Sequence, residues 1–167
     1  MIPVCPLVFG VLLGLVATPT IAAETKPGAV QPLGVYSRVK ATEDHTYGHE
    51  VRLWRLENRL VGQLTYWDAN PEGQRGSFDE GAFNPQTGEV RFSVTVTRHD
   101  VQPNIRSNAS FRGHLARGGL SGELQWEGED AQTRGKAGVE NLSLPITKGE
   151  RLKPFPDVDT WRKAAPH

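Results

Sequence analysis

The chain has 167 residues and a formal net charge of zero, from 19 Lys+Arg against 19 Asp+Glu. That balance argues against a protein that coats nucleic acid, which needs a basic surplus, and against a purely electrostatic membrane binder. Charged residues at 23% and hydrophobic ones at 37% exclude an acidic disordered tail and a membrane bundle, and 18 Gly with 12 Pro favour turns and short strands over long helices.

Residues 1–23 read as a signal peptide. Leu7 to Ala17 is an apolar core of suitable length, followed by Pro19 and the small residues Thr20, Ala22 and Ala23, so cleavage is expected after Ala22 or Ala23. No Lys or Arg precedes the apolar core. The stretch is short for a membrane span, which favours a cleaved leader over a retained anchor. Cys5, the single cysteine, leaves with the leader, and disulfides and thiol chemistry leave with it. The expected location is secreted or periplasmic, with no stable membrane insertion after cleavage.

Residues 24–32 form a polar, Pro-containing lead-in to a domain spanning residues 33–146. Period-two alternation between turn signals predicts eight strands there: Leu33 to Lys40, Glu50 to Glu57, Leu60 to Asp68, Gly76 to Phe83, Glu89 to Arg98, Asn108 to Ala116, Leu120 to Glu127 and Gly135 to Ile146. The fifth alternates most cleanly, with Val90, Phe92, Val94 and Val96 on one face and Arg91, Ser93, Thr95 and Thr97 on the other. Such a strand is half-buried in an antiparallel sheet. An apolar-x-Gly-x-apolar pattern recurs around Gly62, Gly113 and Gly122. Inward glycines suit strands that bend sharply or need interior room, so an all-β, eight-stranded antiparallel up-and-down barrel is favoured over an open sandwich. Closure also removes the free edges that strands of this kind would otherwise expose. Residues 147–167 form a C-terminal arm, in which Asp157 or Asp159 would cap a short helical turn carrying Trp161.

Gly34-Val-Tyr36, Gly48-His-Glu50-Val51, the Leu-x-Gly strand and the Phe-x-Gly to Leu-x-Gly hairpin, spanning Leu33 to Trp126, resemble small secreted bacterial proteins of unknown function. Those proteins are thought to form lipocalin-like or avidin-like barrels. The resemblance implies a fold and carries no catalytic residue with it.

Chemistry is sparse. The run from Glu43 to Glu50 is the densest set of potential ligands, and His45, His49 and Glu50 are weak candidates for a metal; a solvated loop is the favoured reading. His99-Asp100 are adjacent loop residues, which rarely make a base and its orienting carboxylate. Asp79 and Glu80, as strand neighbours, should point to opposite faces. His114 should face solvent. Asn108-Ala-Ser110 and Asn141-Leu-Ser143 match the glycosylation sequon, which matters only in a eukaryotic secretory pathway. No cofactor motif stands out. Tyr66, Phe92 and Trp126 fall on inward positions, while Trp54 is ambiguous. These aromatics would line a ligand pocket or fill it, and packing is favoured in so small a barrel. The leading expectation is a non-catalytic binding module, taking a small apolar ligand in the barrel mouth or a cell-envelope partner on its rim. Behind it stand a structural envelope or matrix component with a filled barrel, then a metal-dependent enzyme using His45, His49 and Glu50.

Overall fold

The computed structural model describes residues 28–69, 71–98, 105–127 and 138–165. The signal segment 1–23 and the His99-Asp100 pair lie outside them. The described residues form eight strands and one short helix: β1 (Gln31–Ala41), β2 (Thr46–Leu56), β3 (Arg59–Asp68), β4 (Gln74–Phe83), β5 (Glu89–Arg98), β6 (Ile105–Ala116), β7 (Gly119–Glu127), β8 (Val139–Pro145) and α1 (Val158–Ala164). Every strand pairs antiparallel with its sequence neighbour, giving one sheet in the order β1 to β8.

The sheet curls into a nearly closed barrel. β1 and β8 meet in a Tyr36–Ile146 bridge, and the Thr147 amide donates to the Val35 carbonyl at 2.8 Å. The exposed large hydrophobic residues Val39 of β1, Val139 of β8 and Ile146 just beyond β8 lie along this seam, with Tyr47 on the neighbouring β2. Burial follows the alternation read from the sequence. On β5, Val90, Phe92, Val94 and Val96 are buried, while Arg91, Ser93 and Thr95 are exposed. Apolar residues inside and polar ones outside is the inverse of a membrane-spanning barrel, whose apolar band faces out.

Strand ends differ from the expectation by a few residues. β1 starts at Gln31, inside the expected lead-in, and the β2–β3 turn is Glu57-Asn58, with Glu57 in the left-handed region at φ 55. Gly88 takes φ 78 at the end of the Asn84 to Gly88 turn, where the Asn84 side chain accepts from the Gln86 amide at 2.9 Å. The inward glycines mark close approach. A methyl group on Gly62 would lie 2.5 Å from the Phe78 ring, and Gly113 pairs directly with Gly122 across β6 and β7. Without those side chains, the Phe rings have room at the centre.

Two apolar clusters result. The inner one fills the barrel with Val51, Leu53, Leu60, Leu64, Phe78, Phe92, Phe111, Leu120, Leu124 and Leu144, among others. The outer one lies where the C-terminal arm crosses β2 and β3, and contains Val30, Trp54, Leu56, Val61, Trp161 and Ala165. Val30 and Phe155 bridge through two backbone hydrogen bonds, and the Trp54 indole N–H donates to the Lys153 carbonyl at 2.9 Å. Asp157 caps α1 by accepting from the Thr160 amide at 2.7 Å. Arg162 pairs with Asp79 of the barrel, so the arm is fastened by apolar burial, backbone bonds and charge together.

Candidate functional site

The two ends of the barrel are unlike. At one end, β2–β3, β4–β5 and β6–β7 are joined by short turns. At the other lie the β1–β2, β3–β4, β5–β6 and β7–β8 connections, of 4, 5, 6 and 11 residues against 2, 5 and 2 at the first, and so longer on the whole. In barrels, sites concentrate at the mouth, where loops vary while the strands hold them in place.

The inward face changes character along this axis. Toward the short-turn end, Phe78 stacks on Phe92 with ring centres 4.2 Å apart and planes within 3°, and Phe92 stacks on Phe111 at 5.0 Å. This floor is filled. Toward the long-loop end the residues become amphipathic. His49 lies against Tyr66, ring centres 4.9 Å apart, and Tyr66 lies against Trp126 at 5.3 Å. Glu140 closes the group: one carboxylate oxygen accepts from the Trp126 indole N–H at 3.0 Å, and the other is 3.3 Å from His49 Nε2.

Strand register explains how residues so distant in sequence meet. Arg38 pairs with His49, His49 with Tyr66, and Tyr66 with Gln74. Cross-strand partners share a face, so one inward row crosses four strands. Lys40, Tyr47 and Asp68 form the next row outward by the same pairing. On the opposite wall, Ser107 pairs with Val96, and Ala109 with Trp126. Gln74 and Ser107 are 4% and 3% exposed, and Gln74 Nε2 and Ser107 Oγ have no hydrogen-bond partner. A buried donor left unmatched costs about 1–3 kcal/mol. Among the described residues, these two groups leave unmatched polar capacity on the inward face at this end.

The sequence candidates separate accordingly. Tyr66 and Trp126 lie together in the mouth, and Phe92 lies in the stacked floor. Trp54 belongs to the outer cluster, 6.1 Å from Trp161, because its side of β2 is covered by the arm. His45, His49 and Glu50 do not converge. His45 is an exposed loop residue near the Ala69 carbonyl, His49 points inward, and Glu50, its strand neighbour, pairs with Arg52 on the outer face. No group of three His, Cys, Asp or Glu suited to a metal occurs among the described residues. His114 is exposed, as its position on β6 predicts.

A concavity of about 390 Å³ lies outside the barrel, between the arm and the β2–β3 face. Trp54, Trp67, Trp161, Gln63, Thr65 and Arg75 are among its walls.

Gln74, Ser107, Arg38 and Glu140 were not singled out from the sequence. Gln74 and Ser107 read as loop residues next to strands. Glu140, however, is in phase with Leu142 and Leu144, and His49 with Val51 and Leu53; that phase was the available signal. Compared with protein-family models, curated proteins and solved structures, the chain matches none.

Proposed function

We propose that this is a secreted or periplasmic, non-catalytic binding module that takes a small ligand at the long-loop mouth of its barrel, above a floor closed by stacked phenylalanines. The observation that carries the reading is the pair of buried, unpartnered groups, Gln74 Nε2 and Ser107 Oγ, on the same inward face as Tyr66 and Trp126. A structural envelope component with a filled barrel would account for the Phe78–Phe92–Phe111 stack. It gives no reason to keep uncompensated polar groups at the other end. The barrel fold allows this reading, and the secreted or periplasmic placement rests on the apolar stretch Leu7 to Ala17 in the sequence.

Native mass spectrometry of the mature chain, purified without detergent, followed by a small-molecule library read through tryptophan fluorescence, tests it. The expected result is a retained small-molecule mass, or micromolar hits that Tyr66→Ala weakens at least tenfold while far-ultraviolet circular dichroism stays unchanged. No retained mass and no hit, or hits indifferent to Tyr66→Ala, would overturn it.

A further inference from the structure

Taking the mouth as the binding end, we propose that it selects an amphipathic anion: an apolar, ring-bearing body with a carboxylate or sulfonate head. Gln74 Nε2 is a pure donor, and the Ser107 hydroxyl both donates and accepts; both are buried and without a partner. The group that completes them is therefore a hydrogen-bond acceptor.

The charges point the same way. Arg38 and Lys40 occupy the two inward rows at β1 and are exposed, and neither has a hydrogen-bond or ion-pair partner among the described residues. Two carboxylates share these rows or face them. Glu140 is already engaged by the Trp126 indole and by His49. Asp68 lies at the exposed end of β3, in the row of Lys40 but separated from it by Tyr47. Within these two inward rows, two unengaged cations therefore stand against one unengaged carboxylate; the exposed Glu43, Asp44 and Glu72 lie beyond the rows, in the β1–β2 and β3–β4 connections. The rings of Tyr66 and Trp126, buried at 7% and 3% exposure, are the apolar surface that the body would meet on entering. A neutral apolar ligand would satisfy those rings and leave the buried donors unmatched; an inorganic anion would do the reverse.

A matched pair of fluorophores separates this proposal from the reading on which it rests. 8-Anilinonaphthalene-1-sulfonate and N-phenyl-1-naphthylamine share one aromatic body and differ by the sulfonate. In low-salt buffer the sulfonate dye should bind at least tenfold tighter, and the gap should narrow in high salt, where the Debye length shrinks to about 3 Å. The double variant Arg38→Gln/Lys40→Gln, both positions exposed, should lose about tenfold in affinity for the sulfonate dye and stay within twofold for the neutral one. Arg75→Gln, in the outer groove, should change neither. Equal binding of the two dyes would overturn the proposal and leave mouth binding standing. Binding of neither dye would overturn both. Loss of the sulfonate preference in Arg75→Gln alone would also overturn the proposal, by moving the anion site to the outer groove.

Discussion

The two halves of the barrel are made from the same strands, yet they spend their inward positions differently. Toward the short-turn end those positions hold hydrocarbon and stacked rings: Phe78, Phe92 and Phe111 lie nearly parallel, and Leu53, Leu60, Leu120 and Leu144 close around them. Toward the long-loop end the same alternation presents His49, Tyr66, Gln74, Ser107, Trp126 and Glu140. The floor needs nothing further to be stable. The mouth retains buried donors that cost free energy until something accepts from them. On the proposed reading, stability and binding are separated along the barrel axis, and substitutions at the two ends should fail in different assays.

The largest effect should come from the floor. Phe92→Ala removes the central ring of the stack and should cost about 3–5 kcal/mol in denaturant unfolding. Trp126→Ala, in the mouth, should cost less and weaken ligand binding. Equal losses from both would erase the distinction. The outer cluster extends the comparison: Trp161→Ala should cost about 3 kcal/mol by uncovering Trp54 and Val61, yet leave affinity at the mouth unchanged. A fall in affinity would show that the arm and the mouth are coupled.

Tyr36 gives a smaller, pH-dependent effect. Its hydroxyl donates to the Leu33 carbonyl at 3.2 Å, and burial pushes its ionisation above the usual tyrosine value of 10.0. The folded state therefore favours the protonated form. The stability this contributes is full below the unfolded value and is lost as pH rises through the folded one. Tyr36→Phe should cost about 1 kcal/mol near neutral pH, and it should flatten the decline in stability above pH ~10. The smallest effect should have the opposite sign. Gln74→Leu removes an unmatched buried donor and should leave stability unchanged or raise it by up to about 1 kcal/mol, while reducing ligand affinity. A clear loss of stability would mean that the Gln74 amide already has its partner in the folded chain.

The floor was readable from the sequence, and much of the mouth was not. Val90 to Val96 alternate so cleanly that their face is fixed by period alone, and Gly62, Gly113 and Gly122 announce a crowded interior. Tyr66 and Trp126 followed from the same periodicity. Gln74 and Ser107 are polar residues at strand starts, where hydropathy cannot tell an inward strand residue from a loop. Their inward direction depends on pairing with Tyr66 and Val96, which is a property of register between strands and not of local sequence. Trp54 was ambiguous for a related reason. Trp54 and Leu56 make only the end of β2's outer face apolar, where Trp54 packs against Phe155 and Trp161, about a hundred residues downstream. The expected full closure is met in part: β1 and β8 join at Tyr36 and Ile146.

Ligand contact with the inward face of the mouth is the claim most directly open to measurement. An amide and indole correlation spectrum of isotope-labelled mature chain, titrated with N-phenyl-1-naphthylamine, reads this residue by residue. Shifts should concentrate at Tyr66, Gln74, Ser107 and the Trp126 indole, with Phe92, Phe111 and Leu144 still. Shifts at the floor, or confined to Trp67, Arg75 and Trp161 on the outer face, would contradict it.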